Sequence, residues 1–155
     1  VWPQLRSVRA SHNIYAQHYQ THRFVTQHYR AAVAVNDLGW VTYRNPHYVL
    51  DLFGLGSREA LKARTRAKDA RWIDRLMKRR DVRLAIVYDA WFPKRPRRWI
   101  RVGQMITAGP RVVSGGQRVS YYAVDRKTAE RVRRLLRRFA KTLPPDVKLR
   151  VYEGP

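Results

Sequence analysis

Two short runs of uninterrupted apolar residues constrain the fold of this chain most strongly. They are Ala32–Val35 and Leu84–Tyr88, and an acidic residue follows closely after each of them, Asp37 or Asp89. A strand that is apolar on both sides needs cover on both faces of its sheet, a pattern typical of parallel sheets flanked by helices. The two runs therefore favour a single sheet with helices packed against it.

Hydrophobic periodicity and turn residues predict the other elements. The predicted helices are 13–30, 58–79 and 126–142. The predicted strands are 32–35, 40–43, 48–52, 84–88, 118–124 and 147–152. Ser57 and Asp125 are suitable N-caps for the second and third helices. The predicted fold class is α/β, with a single mixed sheet and packed helices in a Rossmann-like arrangement of two or three layers.

The segment between the fourth and fifth predicted strands has a weaker pattern. Residues 99–106 fit either a short helix or a strand. Gly115–Gly116 separates two β-prone runs, Arg111–Ser114 and Arg118–Val124. Because a glycine pair between two such runs is typical of a tight turn, the sequence predicts a hairpin there.

The length of 155 residues fits one domain. The chain contains no cysteine, which excludes a disulfide scaffold, a thiolate metal site and thiol catalysis. No stretch approaches the roughly 18–20 apolar residues that span a bilayer. The chain begins with Val1 rather than Met and continues directly into charged, helix-like sequence. Residues 1–155 are therefore interpreted as a single soluble domain of a longer protein whose N-terminal part is missing.

The charge balance is strongly basic, with 33 Lys and Arg residues against 11 Asp and Glu residues and a formal net charge of +22. Such an excess favours a polyanionic neighbour, namely nucleic acid, an anionic membrane face or a phosphorylated ligand. The predicted basic surface comprises Arg95, Arg97, Arg98, Arg131, Arg134 and Arg138. The alternative is a solvated surface of an arginine-rich chain. The sequence shows no helix-turn-helix, zinc-finger, ribonucleoprotein or KH signature.

Asp37 and Asp89 are the first candidate ligand-binding residues. Ligand sites in open α/β sheets gather at the carboxyl ends of the strands, so these two carboxylates would share one rim if their strands are parallel. They would then bind a cation or polarise a hydroxyl group. The alternative is that each aspartate caps a turn by accepting backbone hydrogen bonds.

The turn Gly54–Ser57 is the second candidate, with Gly54, Gly56 and Ser57 placed between a strand and a helix. Such a turn can hold a phosphate on its backbone N–H groups, but the third glycine of the dinucleotide pattern and the Walker lysine are both missing. A tight turn alone also explains the glycines. His18 and His22 share one helix face, yet no closed ligand set for zinc accompanies them. We predict neither a metal site nor a catalytic centre in this chain.

Two stretches resemble a known family. They are Val33–Tyr43 (VAVNDLGWVTY) and Tyr48–Ser57 (YVLDLFGLGS). The chain resembles the soluble C-terminal domain of bacterial polytopic membrane glycosyltransferases of the GT-C, dolichyl-phosphate-mannosyltransferase-like type. In that group an apolar strand ends in Asn-Asp-Leu/Ile-Gly, and a short hairpin leads to Val-x-Asp-Leu-x-Gly-Leu. Asp37 and Asp51 match these motifs.

The resemblance implies a parent enzyme that moves a sugar from a polyprenyl-phosphate donor at the outer face of the bacterial inner membrane. Its catalytic carboxylates are expected in the membrane half, so this periplasmic domain is accessory to catalysis and carries no catalytic residue of its own. The implied partners are the membrane-spanning half of the chain and anionic lipid headgroups or the lipid-phosphate donor. No cofactor is expected in this part, and a divalent cation would belong to the parent enzyme.

Two other functions stay open at the level of the sequence. One is a basic nucleic-acid-binding domain, which would be cytoplasmic. The other is a small enzyme acting on a phosphate ligand, using Asp37, Asp89 and the Gly54–Ser57 turn. Apolar spans encoded upstream of Val1 in the gene would favour the membrane glycosyltransferase over both.

Overall fold

The computed structural model describes residues 2–109 and 113–154, with side chains from residue 7 onward. Six strands form one sheet in the order β2-β1-β3-β5-β4-β6. The strands are β1 (Val33–Val35), β2 (Val49–Asp51), β3 (Leu84–Val87), β4 (Ile100–Thr107), β5 (Arg118–Ala123) and β6 (Val147–Val151). β1 is parallel to both β2 and β3, while β5, β4 and β6 continue the sheet in antiparallel pairs. The predicted α/β class with one mixed sheet is confirmed.

A long N-terminal helix covers residues 2–29 and consists of α1 (Trp2–Asn13), a π-helical segment (Ile14–Tyr19), α2 (Gln20–Arg23) and a second π-helical segment (Phe24–Tyr29). The other helices are α3 (Gly39–Thr42), α4 (Arg58–Arg66), α5 (Arg71–Arg79), a 3-10 turn (Asp89–Trp91) and α6 (Arg126–Ala140). Asp125 caps α6 as predicted, since its carboxylate accepts a hydrogen bond from the Thr128 N–H at 2.7 Å.

Helices cover both faces of the sheet. On the first face, the N-terminal helix and α6 bury Phe24, Leu136 and Phe139 against β-strand side chains such as Tyr121. On the second face, Ala60 of α4 and a group of α5 residues pack against the other side of the sheet. The buried α5 residues are Trp72, Ile73, Leu76 and Met77. The two apolar runs are therefore buried on both faces, for the reason that the sequence indicated.

The strand predicted at 40–43 is wrong, because Gly39–Thr42 forms one helical turn. The Thr42 N–H donates to the Leu38 carbonyl at 3.1 Å, and the Thr42 hydroxyl donates to the Gly39 carbonyl at 3.0 Å. This turn buries Val41 in the first-face core and leaves Trp40 exposed against the N-terminal helix. Burial of a single side chain outweighs the β-propensity of the segment.

The helix predicted at 58–79 is two helices, α4 and α5, with a break at residues 67–70. The second helix begins at Arg71, and the Asp69 carboxylate in the break accepts a hydrogen bond from the Arg71 N–H at 2.9 Å. The break lets the chain change direction, so that the four apolar residues of α5 face the sheet.

The predicted hairpin between Arg111–Ser114 and Arg118–Val124 is also wrong in its pairing. β5 pairs with β4, which resolves the ambiguous residues 99–106 as a strand. Residues 111 and 112 of the first run of the predicted hairpin lie outside the described residues, and Ser114 is in a bend. The predicted start of the first helix, residue 13, is too late, since that helix already includes Trp2.

Candidate functional site

The sheet has a point where neighbouring parallel strands send their loops to opposite faces. After β1 the chain turns to the first face, where Val41 is buried, and after β3 it turns to the second face, where Phe92 is buried. Open α/β sheets bind ligands in the crevice that such diverging loops leave at the carboxyl ends of the strands. We call this place the β1/β3 crevice. Its polar lining residues are Gln17, His18, Thr21, Asn36, Asp37 and Tyr88.

His18 and Asp37 form the open side of the β1/β3 crevice. The His18 Nδ1 atom lies 3.4 Å from the Asp37 Oδ2 atom, and the Asp37 side chain is 39% exposed. The His18 Nε2 atom is buried and has no hydrogen-bond partner among the side chains and backbone that the structure describes. The π-helical segment Ile14–Tyr19 carries this histidine, and such widened turns occur frequently at functional sites.

Asn36 forms the floor of the crevice. Its Oδ1 atom accepts a hydrogen bond from the Tyr88 N–H at 2.8 Å, which ties the ends of β1 and β3 together. The Tyr88 hydroxyl donates to the Gln17 Oε1 atom at 2.6 Å, which connects the end of β3 to the N-terminal helix. The Asn36 Nδ2 atom is buried without a partner in the described part of the chain. A buried amide donor of this kind costs about 1–3 kcal/mol unless a ligand or water accepts from it.

The cavity at this floor measures about 30 Å³, which suits one hydroxyl group or water molecule. A larger ligand would have to lie across the mouth of the crevice and place a single polar group inside. Asn36 would donate to that group, and Asp37 would accept from it. The arrangement suits recognition of a hydroxylated molecule.

Four aromatic rings border the crevice, and we call Tyr15, Tyr19, Trp40 and Tyr43 the aromatic platform. Neighbouring centroids are 5.7 Å apart for Tyr15 and Tyr19, 5.5 Å for Tyr19 and Trp40, and 5.4 Å for Trp40 and Tyr43. Tyr15, Trp40 and Tyr43 are 49%, 39% and 53% exposed.

Gly39 joins the platform to the crevice. A Cβ atom on Gly39 would lie 3.2 Å from an Asp37 carboxylate oxygen and 3.8 Å from His18 Nδ1, and Trp40 is the next residue. His22 also belongs to this region, since its ring lies 6.0 Å from Trp40. Polar groups and exposed rings are therefore contiguous, and sequence reasoning missed the platform because its residues come from two elements.

Asp89 has different partners from Asp37, although their strands are parallel and both residues follow strand ends. Asp89 accepts hydrogen bonds from Arg101 at 2.7 Å, Ser120 at 2.9 Å and Tyr122 at 2.7 Å, and Arg95 lies 3.7 Å away. Burial, reinforced by the hydrogen bond to Asp89, raises the pKa of Tyr122 to about 12. The Asp89 oxygens are occupied within the protein, on the second-face side of the sheet.

Asp51 and the Gly54–Ser57 turn form a closed set of hydrogen bonds. The Asp51 carboxylate is 3% exposed and accepts from the N–H groups of Phe53, Gly54 and Gly56. The Ser57 hydroxyl accepts from the Ala60 N–H at 3.1 Å and caps α4. Backbone donors that would hold a phosphate are bonded to Asp51 instead. Asp51, Gly54, Gly56 and Ser57 therefore form hydrogen bonds that stabilise the loop and the start of α4.

The predicted basic surface divides across the sheet. Arg131, Arg134 and Arg138 lie exposed on α6, which packs on the first face. The loop that carries Arg95, Arg97 and Arg98 lies between Phe92 and Trp99, and both of these side chains pack on the second face. Arg98 pairs with Asp74 at 3.1 Å, and Arg95 donates to the Phe92 carbonyl at 2.6 Å. The two halves do not merge into one patch.

Within the described ranges, no three His, Cys, Asp or Glu side chains come close enough to hold a metal ion. Over the same residues, the structure has no helix with the length and apolar character needed to cross a membrane.

One family model matches residues 12–146, and its description is a domain of unknown function, DUF8728. This range contains the β1/β3 crevice, the Asp51 turn and the Asp89 contacts. The chain belongs to the DUF8728 family. No curated protein and no solved structure matches the chain. The DUF8728 match also spans the four residues of the aromatic platform.

Proposed function

We propose that this chain is a water-facing domain of a bacterial membrane glycosyltransferase that uses a polyprenyl-phosphate sugar donor, and that it assists catalysis by holding a sugar group. One observation carries the proposal. The two stretches that resemble the glycosyltransferase domains, Val33–Tyr43 and Tyr48–Ser57, lie side by side, because β1 and β2 pair along their whole length. Leu38 and Gly56 also touch, since a Cβ atom on Gly56 would lie 2.8 Å from Leu38 Cδ1.

The combination of the crevice and the aromatic platform fits a sugar. The exposed rings offer apolar, rigid surfaces on which the C–H face of a pyranose ring packs. The Asn36 amide and the Asp37 carboxylate offer a donor and an acceptor for one of its hydroxyl groups. Ligand sites commonly combine an apolar wall with a few convergent polar groups in this way. The domain would orient the acceptor or donor sugar, while the chemistry takes place in the membrane half of the parent enzyme.

The proposal places the domain on the periplasmic side of the inner membrane. Its partners are the membrane-spanning part of the same protein, the lipid-phosphate donor and the anionic lipid headgroups around it. A basic domain in that position raises the local concentration of phosphate-bearing lipids. Any divalent cation would serve the parent enzyme, at its catalytic carboxylates.

The test is sugar transfer by the full-length gene product in membranes, with a labelled polyprenyl-phosphate sugar as donor. We expect Trp40→Ala and Asp37→Ala each to raise the KM for the sugar-bearing substrate by about tenfold, the effect of losing one stacking contact or one charged hydrogen bond. Tyr48→Ala is the matched control for the aromatic residue, because Tyr48 is 45% exposed and lies at the amino end of β1 and β2, whereas the crevice lies at the carboxyl ends of β1 and β3.

Asp69→Ala is the control for the carboxylate, since Asp69 is bonded to Arg71 at the start of α5. Membranes that contain the protein and transfer no sugar from any polyprenyl-phosphate donor would overturn the proposed function. Unchanged KM values for both crevice variants would instead remove the sugar-holding role from this domain.

A further inference from the structure

A straight line of positive charge runs along the outer side of α6. Basic residues recur there at steps of four, three, four and three positions, and we call them the α6 stripe: Lys127, Arg131, Arg134, Arg138 and Lys141. Residues at this spacing lie above one another on a helix. All five are exposed, and the stripe covers about 21 Å at 1.5 Å per residue.

The cations of the α6 stripe are not held in ion pairs with described carboxylates. None of its five members forms a salt bridge with a carboxylate in the described part of the chain. Arg131 donates to the Tyr29 carbonyl at 2.8 Å and lies over the Tyr29 ring, which fixes its position without neutralising it. Glu130 flanks the stripe but is paired with no described residue.

The other arginines in the middle of α6 behave differently. Arg133 donates to the Tyr152 carbonyl at 2.7 Å, and Arg137 pairs with Glu153. Arg133 and Arg137 hold the residues after β6 against α6, and they therefore stabilise the fold. The members of the stripe point outward from the helix, on the side away from the buried Leu136 and Phe139.

We propose that the α6 stripe docks this domain on the anionic headgroups of a lipid bilayer. A flat, negatively charged surface is the partner that a straight row of exposed cations fits, and binding needs only clustered Lys and Arg near the headgroups. No exposed aromatic side chain accompanies the row on α6, so it lacks the stacking surfaces that proteins use on single-stranded nucleic acid. The inference rests on the proposed function, which places the domain beside a membrane.

The experiment is co-sedimentation of the purified chain with vesicles of equal parts phosphatidylglycerol and phosphatidylcholine, and with vesicles of phosphatidylcholine alone. The stripe variant carries Lys127→Gln, Arg134→Gln and Arg138→Gln. The matched control carries Arg118→Gln, Lys148→Gln and Arg150→Gln, which removes the same charge from exposed positions of β5 and β6 on the second face of the sheet.

We expect the stripe variant to bind the anionic vesicles about 100-fold more weakly than the unmodified chain, because each of the three Lys or Arg residues near the surface contributes about fivefold. The control should lose less than about threefold, since its face would point away from the bilayer. The variant Arg134→Lys with Arg138→Lys should bind like the unmodified chain, because headgroup attraction needs charge and not a guanidinium fork. Circular dichroism of each variant verifies folding.

Three results would overturn the inference. Equal losses in the stripe variant and the control would show that net charge alone drives binding. Equal binding of the unmodified chain to neutral and anionic vesicles would remove the electrostatic basis. A stripe variant that keeps its vesicle affinity but loses affinity for a single-stranded oligonucleotide would identify nucleic acid as the partner. Sugar transfer by the full-length protein is measured separately, so failure of the stripe does not count against the proposed function.

Discussion

The Asp51 carboxylate accepts a hydrogen bond from the backbone N–H of Gly56, with 2.6 Å between Oδ2 and the nitrogen. Its Oδ1 atom accepts from the N–H groups of Phe53 and Gly54 at 2.8 and 2.9 Å. The side chain of Asp51 thus fills the loop between β2 and α4 and satisfies three backbone donors. This explains why an aspartate begins a glycine-containing stretch at this place.

Replacing Asp51 by alanine should lower the free energy of unfolding by about 3 kcal/mol, because the loop would lose its charged acceptor and leave buried donors unpaired. Urea denaturation measures the loss. Asp69→Ala is the comparison, because Asp69 accepts from only one backbone N–H, at the start of α5. We expect it to cost about 1 kcal/mol. Equal losses in the two variants would contradict the role of Asp51.

Gly54→Ala and Gly109→Ala separate backbone strain from steric clash. Both glycines have a positive φ angle, 93° for Gly54 and 87° for Gly109. A Cβ atom on Gly54 would lie 2.6 Å from the Leu61 Cα atom, whereas a Cβ on Gly109 would meet no atom of the described residues within 4 Å. We expect about 1 kcal/mol of destabilisation at Gly109 and at least about 2 kcal/mol more at Gly54, both from thermal unfolding. Similar costs at the two positions would refute the close packing of this turn on α4.

Asp89→Asn should lower the pKa of Tyr122 from about 12 while leaving it above 10. Burial is the largest cause of the raised pKa and persists in the variant, whereas the charge of Asp89, which disfavours the tyrosinate, is removed. A pH titration followed by NMR of labelled tyrosine measures the change, with Tyr122→Phe to assign the signal. Asp74→Asn is the control, because Asp74 pairs with Arg98. An unchanged Tyr122 pKa would contradict the contact.

His28 should make the chain less stable in mild acid. Burial is the first cause that lowers the pKa of His28, followed by the charges of Arg23 and Arg138. The unfolded chain therefore binds the proton more readily, so the free energy of unfolding decreases as the pH falls below the ordinary histidine value of 6.5.

His28→Gln should flatten this dependence, and Arg138→Gln should weaken it, because one repelling charge is gone. Denaturant unfolding between about pH 5 and pH 8 gives the slopes. The explanation fails if neither variant changes the slope. Arg138 also belongs to the α6 stripe, so the Arg138→Gln variant removes one charge from the proposed membrane-binding surface as well.

The candidate site could be predicted only in part from the sequence. The sequence nominated Asp37, at the end of an apolar run, by the rule about strand ends, but it did not nominate Asn36 beside it. Gln17, His18 and Trp40 reach the same place through the packing of the N-terminal helix and α3 on the first face. Nothing local in the sequence connects these segments, so the crevice and the platform emerge only when the helices pack.

The sequence by itself determined the elements whose patterns are local: the buried strands β1 and β3, and the helix α6 with its cap at Asp125. These follow from nearest-neighbour periodicity and capping chemistry. Only the tertiary structure decided that β5 pairs with β4, that Gly39–Thr42 is helical, and that Asp37 and Asp89 have separate partners. Each of these depends on which faces are buried against each other across long stretches of chain, and that choice is made by packing rather than by local preference.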